Sequence, residues 1–380
     1  MTSSSASPHD RFGHWHKGPA RLLLLVVLLT LIAAALVPIA AGPQKARRAG
    51  FAETLAGGAP ANDVERPRDP DLAVYDGVIA RIGQGESYYT AAAAEHRKGN
   101  YPLRPGVAVR LPTLAYLEMW LGDTGRGSGQ LVLGEMAAAL ALTMGVFWAW
   151  WRRLGAEPGT ADVRRIAAAL ILVGASLGLN RHFFVLHELW AGMLLALSLG
   201  LHRPGRKWLG AVLAAALALA IREHTLPYVG LMGAMALYRR DWREAAAWGT
   251  LIGLFVAGLA WHMHLVSLQT LPGDPIGPSW LALRGLSGWL SNVVLSSNLR
   301  FLPHFIAGPL VMLMMLGWAG WKSPLGATAT LLYFGYGAAF MIAGRPDNYY
   351  WGAMVAPAML AGLAFTPMAL RSLWQRSFSG

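Results

Sequence analysis

Three short turns gather ionisable residues at the edges of long apolar runs: Arg181-His182 with His187-Glu188, then Arg222-Glu223-His224, then Gly344-Arg345-Pro346-Asp347-Asn348-Tyr349-Tyr350. A polar stretch upstream adds Asp69, Asp71, Tyr75, Asp76, Glu86 and Arg110. Charged groups at membrane depth are costly and normally face a cavity in which they do chemistry or hold a ligand. With so many on the same side of the chain, one shared polar basin is the expectation. The competing reading of each Arg–acid pair is a local salt bridge that neutralises buried charge, and for Arg222-Glu223 the two readings stand level. The Pro-containing turn with aromatic neighbours tips Arg345 toward ligand contact. His262-x-His264 and His187-Glu188 contain metal-ligand types, but neither reproduces the spacing of a helical zinc motif. Asp71, Asp76 and Glu86 lie near enough in sequence to suit a carboxylate-held divalent ion.

The composition says what surrounds these groups. The chain has 380 residues, of which 55% are apolar and 14% charged. A soluble domain carries about 25% charged residues, so no ordinary water-facing surface can be built. Cysteine is absent, which excludes thiolate nucleophiles, cysteine-ligated metals and disulfide switches. The net charge of +12 fits basic loops on one side of a membrane better than nucleic acid, because no basic stripe with interleaved aromatics accompanies it.

Apolar blocks run from 22 to 41, then approximately Leu131–Trp151, Ile166–Leu179, Leu189–Leu201, Trp208–Ile221, Leu226–Leu237, Ala245–Val266, Phe305–Trp321, Leu325–Ala343 and Gly352–Leu370. They predict an all-α polytopic membrane protein with about ten spans. The first block reads as an uncleaved signal-anchor rather than a cleaved signal peptide. The predicted organisation is a cytoplasmic tail over 1–21, the anchor over 22–41, an extracytoplasmic loop over 42–130, a multi-span region over 131–370 and a cytoplasmic tail over 371–380. Charge supports this orientation. Sixteen Lys and Arg fall in the short inward connections and tails, against five in the outward connections after the first loop. Within that loop, Gly42 to Pro70 reads as flexible. Asp71 to Gly83 predicts a helix with Leu72, Tyr75, Ile79 and Ile82 on one face, and Glu86 to Lys98 a second. Short amphipathic helices of this kind lie on the membrane surface.

The order Asp71-Leu-Ala-Val-Tyr75-Asp76, Gly85-Glu86-Ser-Tyr88-Tyr89 and Arg110-Leu111-Pro112-Thr113-Leu114 resembles the first extracytoplasmic loop of the GT-C glycosyltransferase superfamily. The likeness is to the protein O-mannosyltransferase and lipid A aminoarabinose transferase branch. Leu72 stands where that family carries a second acid, and Arg110-Leu111-Pro112 matches the basic-Pro-Pro element in part. The resemblance implies transfer of a sugar from a polyprenyl-phosphate donor to a glycan, lipid or protein acceptor, with inversion at the anomeric carbon. It makes Asp71 the general base, with Asp76 the alternative, and places Glu86 among the catalytic residues, to orient acceptor or sugar hydroxyls or hold the arginines. It gives Arg110, Arg222 and Arg345 the donor phosphate. His187, Glu188, Glu223, Tyr75, Asp347 and Tyr349 are left for sugar or acceptor. No cofactor is demanded, and a divalent metal is compatible. The implied partners are the bilayer, the lipid-linked sugar and the acceptor, with no nucleic acid. The implied location is the bacterial inner membrane, with both termini cytoplasmic and the site facing the periplasm. Two other classes fit the same charges: a transporter or flippase of a lipid-linked or anionic solute, and a non-catalytic subunit of an envelope-polysaccharide complex.

Overall fold

The structure, a computed structural model, describes residues 9–41, 69–125, 132–157 and 159–378. The Ala/Gly/Pro-rich stretch from Gly42, expected to be flexible, lies outside the described residues up to 68. Within the described residues the chain is helical and has no β-strand. Apolar runs become helices here because, without water, each backbone N–H and C=O needs a partner in its own segment. The helices are α1 (Lys17–Leu36), α2 (Pro70–Gly83), α3 (Tyr88–Lys98), α4 (Thr113–Leu121), α5 (Leu133–Gly155), α6 (Ala161–Ala175) and α7 (His187–Leu201). They continue as α8 (Leu209–Ile221), α9 (Leu226–Tyr238), α10 (Trp242–Gln269), α11 (Gly285–Leu295), α12 (His304–Gly320), α13 (Pro324–Ile342) and α14 (Thr366–Phe378).

Among the described residues, α1, α5, α10 and α13 are long and apolar enough to cross a membrane. Helices α7, α8 and α12 are apolar but shorter. The block expected as one span over Gly352–Leu370 is instead a chain of short turns, with 3-10 segments at Pro346–Met354 and Leu360–Ala364 around a single α-turn, Ala356–Met359. Pro357 and Pro367 each remove a helical donor, which breaks the ladder. Helix α11 was not expected from the apolar pattern; it is buried along 288–294.

The chain forms two compact units. One comprises residues 1–48, 146–177 and 280–380, the other 49–145 and 178–279. In the first, α1 packs on α12 and α14 around Phe12, Ala20, Val27, Leu316, Ala369 and Leu373. Glycine lets backbones touch there: a Cβ on Gly317 would stand 1.9 Å from the carbonyl oxygen of Gly362. Small residues at helix contacts drive association where lipid offers no hydrophobic gradient. The Trp318 indole donates to the Met359 carbonyl at 3.0 Å, anchoring the broken segment to α12.

In the second unit, α7 and α8 form a tight hairpin, tied where Ser198 Oγ donates to the Ala211 carbonyl at 2.7 Å. Helices α9 and α10 pair beside it, and α2 packs on both α3 and α4. Arg97 of α3 reaches Asp274, just beyond α10, at 2.7 Å. Helices α2 and α3 arise where the sequence predicts them. Asp69 caps α2 by accepting from the Asp71 amide at 3.0 Å, with Pro70 pre-set for the first turn. Ser87 caps α3. Leu72, Ile79 and Ile82 are buried as expected, and Val74, Asp76 and Val78 join them.

Candidate functional site

The second unit brings one end of α7, α8 and α9 to one end of α2. Glu188 lies in the first turn of α7, where the helix dipole favours an anion. Arg222 follows the last residue of α8 with extended backbone, where the dipole favours a cation. Local electrostatics thus aim opposite charges at each other before any tertiary contact. Arg222 Nε stands 2.8 Å from Glu188 Oε1, and both side chains are about 1% exposed. The contact is ionic rather than aligned: among the described residues neither Glu188 oxygen receives a hydrogen bond. Arg222 Nη1 also donates to Glu223 in a very short contact. Arg110 adds a second guanidinium 3.8 Å from Glu188.

Helix α2 supplies the other wall. Arg110 Nε donates to the Tyr75 hydroxyl at 3.1 Å, and Tyr88 donates to the Arg110 carbonyl at 2.7 Å. The Tyr75 ring lies 5.2 Å from that of His187. Burial pushes the Tyr75 phenol up, and Arg110, Glu188, Arg222 and Asp71 are all close enough to bear on it. Tyr75 therefore lies within electrostatic reach of Asp71, Arg110, Glu188 and Arg222, and of these it is Arg110 that it touches. Asp71, one turn earlier, accepts from the Tyr101 hydroxyl at 2.5 Å. Burial opposes the charge on Glu223, but Arg222, His224 and Arg110 outweigh it and hold its carboxyl at about 2. Burial and then Arg222 keep His224 well below the usual imidazole range.

A narrow cleft opens between Tyr75, Tyr88, His96, Arg110, Glu118 and His187. Its volume of about 10 Å³ is room for roughly one water. Glu223 and His224 keep 17% and 28% of their side chains exposed.

Other expected residues lie apart from this network. Glu86 pairs with Arg81 at 3.0 Å, and Arg81 with Glu95 at 2.7 Å. Asp76 is buried in α2, near enough for its charge to bear on Glu118. The three acids Asp71, Asp76 and Glu86 thus go to three surroundings. Arg345, Asp347 and Tyr349 belong to the first unit, where Arg345 Nε pairs with Asp347 at 3.2 Å and both are about a third exposed. His262 contacts the Tyr89 hydroxyl and the Val109 carbonyl, each at 3.2 Å, while His264 packs on Trp261.

Two residues escaped the sequence reading. Tyr101, partner of Asp71, carries no local signal because it meets α2 only through the turn after α3. Glu118 could have been noticed as a lone acid within Leu114-Ala115-Tyr116-Leu117-Glu118-Met119. No protein-family model, curated protein or solved structure matches the chain.

Proposed function

We propose that this membrane protein is a glycosyltransferase that moves a sugar from a polyprenyl-phosphate carrier to an acceptor on the far side of the bilayer from its termini. The observation that carries the reading is that a carboxylate, Asp71, and two guanidiniums, Arg110 and Arg222, all lie within electrostatic reach of one buried side chain, Tyr75. Sugar transfer from a phosphate needs that combination. The acceptor hydroxyl is a weak nucleophile, and a carboxylate beside the anomeric carbon takes its proton as the new C–O bond forms. The bond to the phosphate oxygen breaks, and the negative charge left on the lipid phosphate is met by arginines.

In this reading Asp71 is the base and Tyr101 orients it. Arg110 and Arg222 hold the departing phosphate, each already positioned by Tyr75, Glu188 or Glu223. Glu188 keeps two guanidiniums close together despite their repulsion. The cleft beside Tyr75 is too small for a sugar, so the donor enters from the side of Glu223 and His224. Arg345 has its own partner in Asp347, and the proposal rests on the residues of the second unit alone. The charges gather at helix ends rather than midway along helices, where transporters usually place their sites.

The test is turnover of the purified chain in liposomes with polyprenyl-phosphate sugars and envelope acceptors. Asp71→Asn keeps an oxygen for Tyr101 and is expected to lower turnover by about 10²–10⁴-fold, the usual contribution of a general base. Full turnover in that variant removes Asp71 from the role. Movement of the lipid-linked sugar across the bilayer without transfer makes the protein a transporter instead.

A further inference from the structure

A cluster of acidic side chains that the proposed transfer does not use lies at the junction of α4 and α5. Carboxylate oxygens of Glu118, Asp123 and Glu135 lie within 4.8 Å of one another. Their convergence is built by two close approaches. Gly122 ends α4 in the left-handed region at φ +103°, and the next amide, that of Asp123, donates back to the Glu118 carbonyl at 3.0 Å. At the start of α5, a Cβ on Gly134 would stand 2.0 Å from the Leu121 carbonyl oxygen, so only glycine lets the first turn of α5, with Glu135, come so near.

Glu118 is the observation that asks for a ligand. It is 1% exposed, and among the described residues neither of its carboxylate oxygens has a hydrogen-bond partner. Burial first, and then the carboxylates of Glu135, Asp123 and Asp76, push its carboxyl well above the ordinary range. Among the described residues its charge is favoured by the neighbouring indole N–H of Trp190, which already donates to the Phe184 carbonyl at 2.6 Å. A buried carboxylate without a donor costs several kcal/mol unless something neutralises it.

We infer that Glu118, Asp123 and Glu135 form a binding site for a hard divalent cation of calcium size. Oxygen-only donors select calcium, magnesium or manganese over zinc and copper. Two oxygens on one calcium at about 2.3–2.6 Å are at most about 4.6–5.2 Å apart, which accommodates the observed spread, whereas magnesium at about 2.0–2.1 Å demands a tighter set. The remaining positions go to water. Bound there, the cation ties the first turn of α5 to the end of α4, against which Asp76 and α2 pack. The site is structural, and its binding is measurable whether or not the chain transfers sugars.

Terbium, a calcium-sized ion excited through nearby tryptophan, is the probe, with Trp190 beside Glu118 as the antenna. The full chain in lipid nanodiscs is expected to give saturable sensitised emission that calcium displaces. Calcium alone is expected to raise the unfolding midpoint. Glu118→Gln, an isostere of the protonated acid that the fold tolerates, loses both responses. Asp162→Asn, an exposed acid of α6, keeps both. Absence of emission, emission that calcium does not displace, or emission unchanged in Glu118→Gln overturns the inference. So does displacement by magnesium but not by calcium. A wild type indifferent to calcium, together with a Glu118→Gln variant of higher midpoint, shows a site that holds only a proton, and overturns it equally.

Discussion

Arg222 Nε lies 2.8 Å from Glu188 Oε1 with both side chains withdrawn from solvent, and a second guanidinium, Arg110, stands 3.8 Å from the same oxygen. A pair this deep is held by mutual need. Taking either ion from water costs several kcal/mol, and the partner offsets that cost only while it is present.

Removing one partner is therefore worse than removing both. Arg222→Gln is expected to destabilise the chain by about 3–5 kcal/mol, because Glu188 stays buried with only the more distant Arg110. The double variant Arg222→Met/Glu188→Leu is expected to recover most of that loss while sugar transfer stays absent. Thermal unfolding in detergent reads the stability, and a double variant no more stable than Arg222→Gln contradicts the account.

Tyr101→Phe tests the orientation of Asp71. The hydroxyl donates to Oδ1 at 2.5 Å, and hydrogen bonds to charged groups contribute about 1.5–3 kcal/mol. Under the proposed function, kcat is expected to fall about tenfold or more with KM little changed, since each 1.36 kcal/mol of barrier is tenfold. An unchanged kcat separates Tyr101 from the reacting group.

Acid stability reports on Glu223. Its carboxyl titrates at about 2 in the folded chain against an ordinary value of 4.5. Between those values the unfolded chain binds the extra proton, so the contribution is complete above pH 4.5 and is lost as pH falls toward 2. Glu223→Gln is expected to flatten the fall in unfolding midpoint across that window. Parallel wild-type and variant curves would show that Arg222 does not hold the charge.

Gly317→Ala probes the contact of α12 with the broken segment. The added Cβ would sit 1.9 Å from a backbone oxygen, which cannot swing aside as a side chain does. Overpacking of this kind costs about 1–3 kcal/mol. Gly335→Ala on α13, with open space around its Cβ, is the control expected to show no loss of midpoint.

Much of this was legible without coordinates. The apolar blocks located helices α5 to α10, α12 and α13 to within a few residues, because segment-internal hydrogen bonding leaves an apolar run few alternatives. The spacing of Leu72, Tyr75, Ile79 and Ile82 announced α2. The edge charges Glu188, Arg222 and Arg110 were recognisable because an ionisable group is conspicuous against so much leucine and alanine. Which of them meet was not legible. Glu86 was expected among the catalytic carboxylates with Asp71 and pairs instead with Arg81; Arg345 was expected to hold the donor phosphate with Arg222 and pairs instead with its neighbour Asp347. Tyr101 and Glu118 gained their significance only by being placed beside Asp71 and Glu135.

The division has a physical cause. Helix position depends on interactions within four residues and on transfer from water, both additive along the chain and therefore readable from it. Charge pairing falls off over a few ångströms and depends on burial, so a choice among several chemically equal arginines and acids is made only when distant segments pack. For this protein the amino-acid sequence by itself determined a helical chain rich in membrane-length segments with a set of candidate charges. The tertiary structure decided that Arg110 and Arg222 gather at Glu188, and that Glu118, Asp123 and Glu135 come together where α4 meets α5.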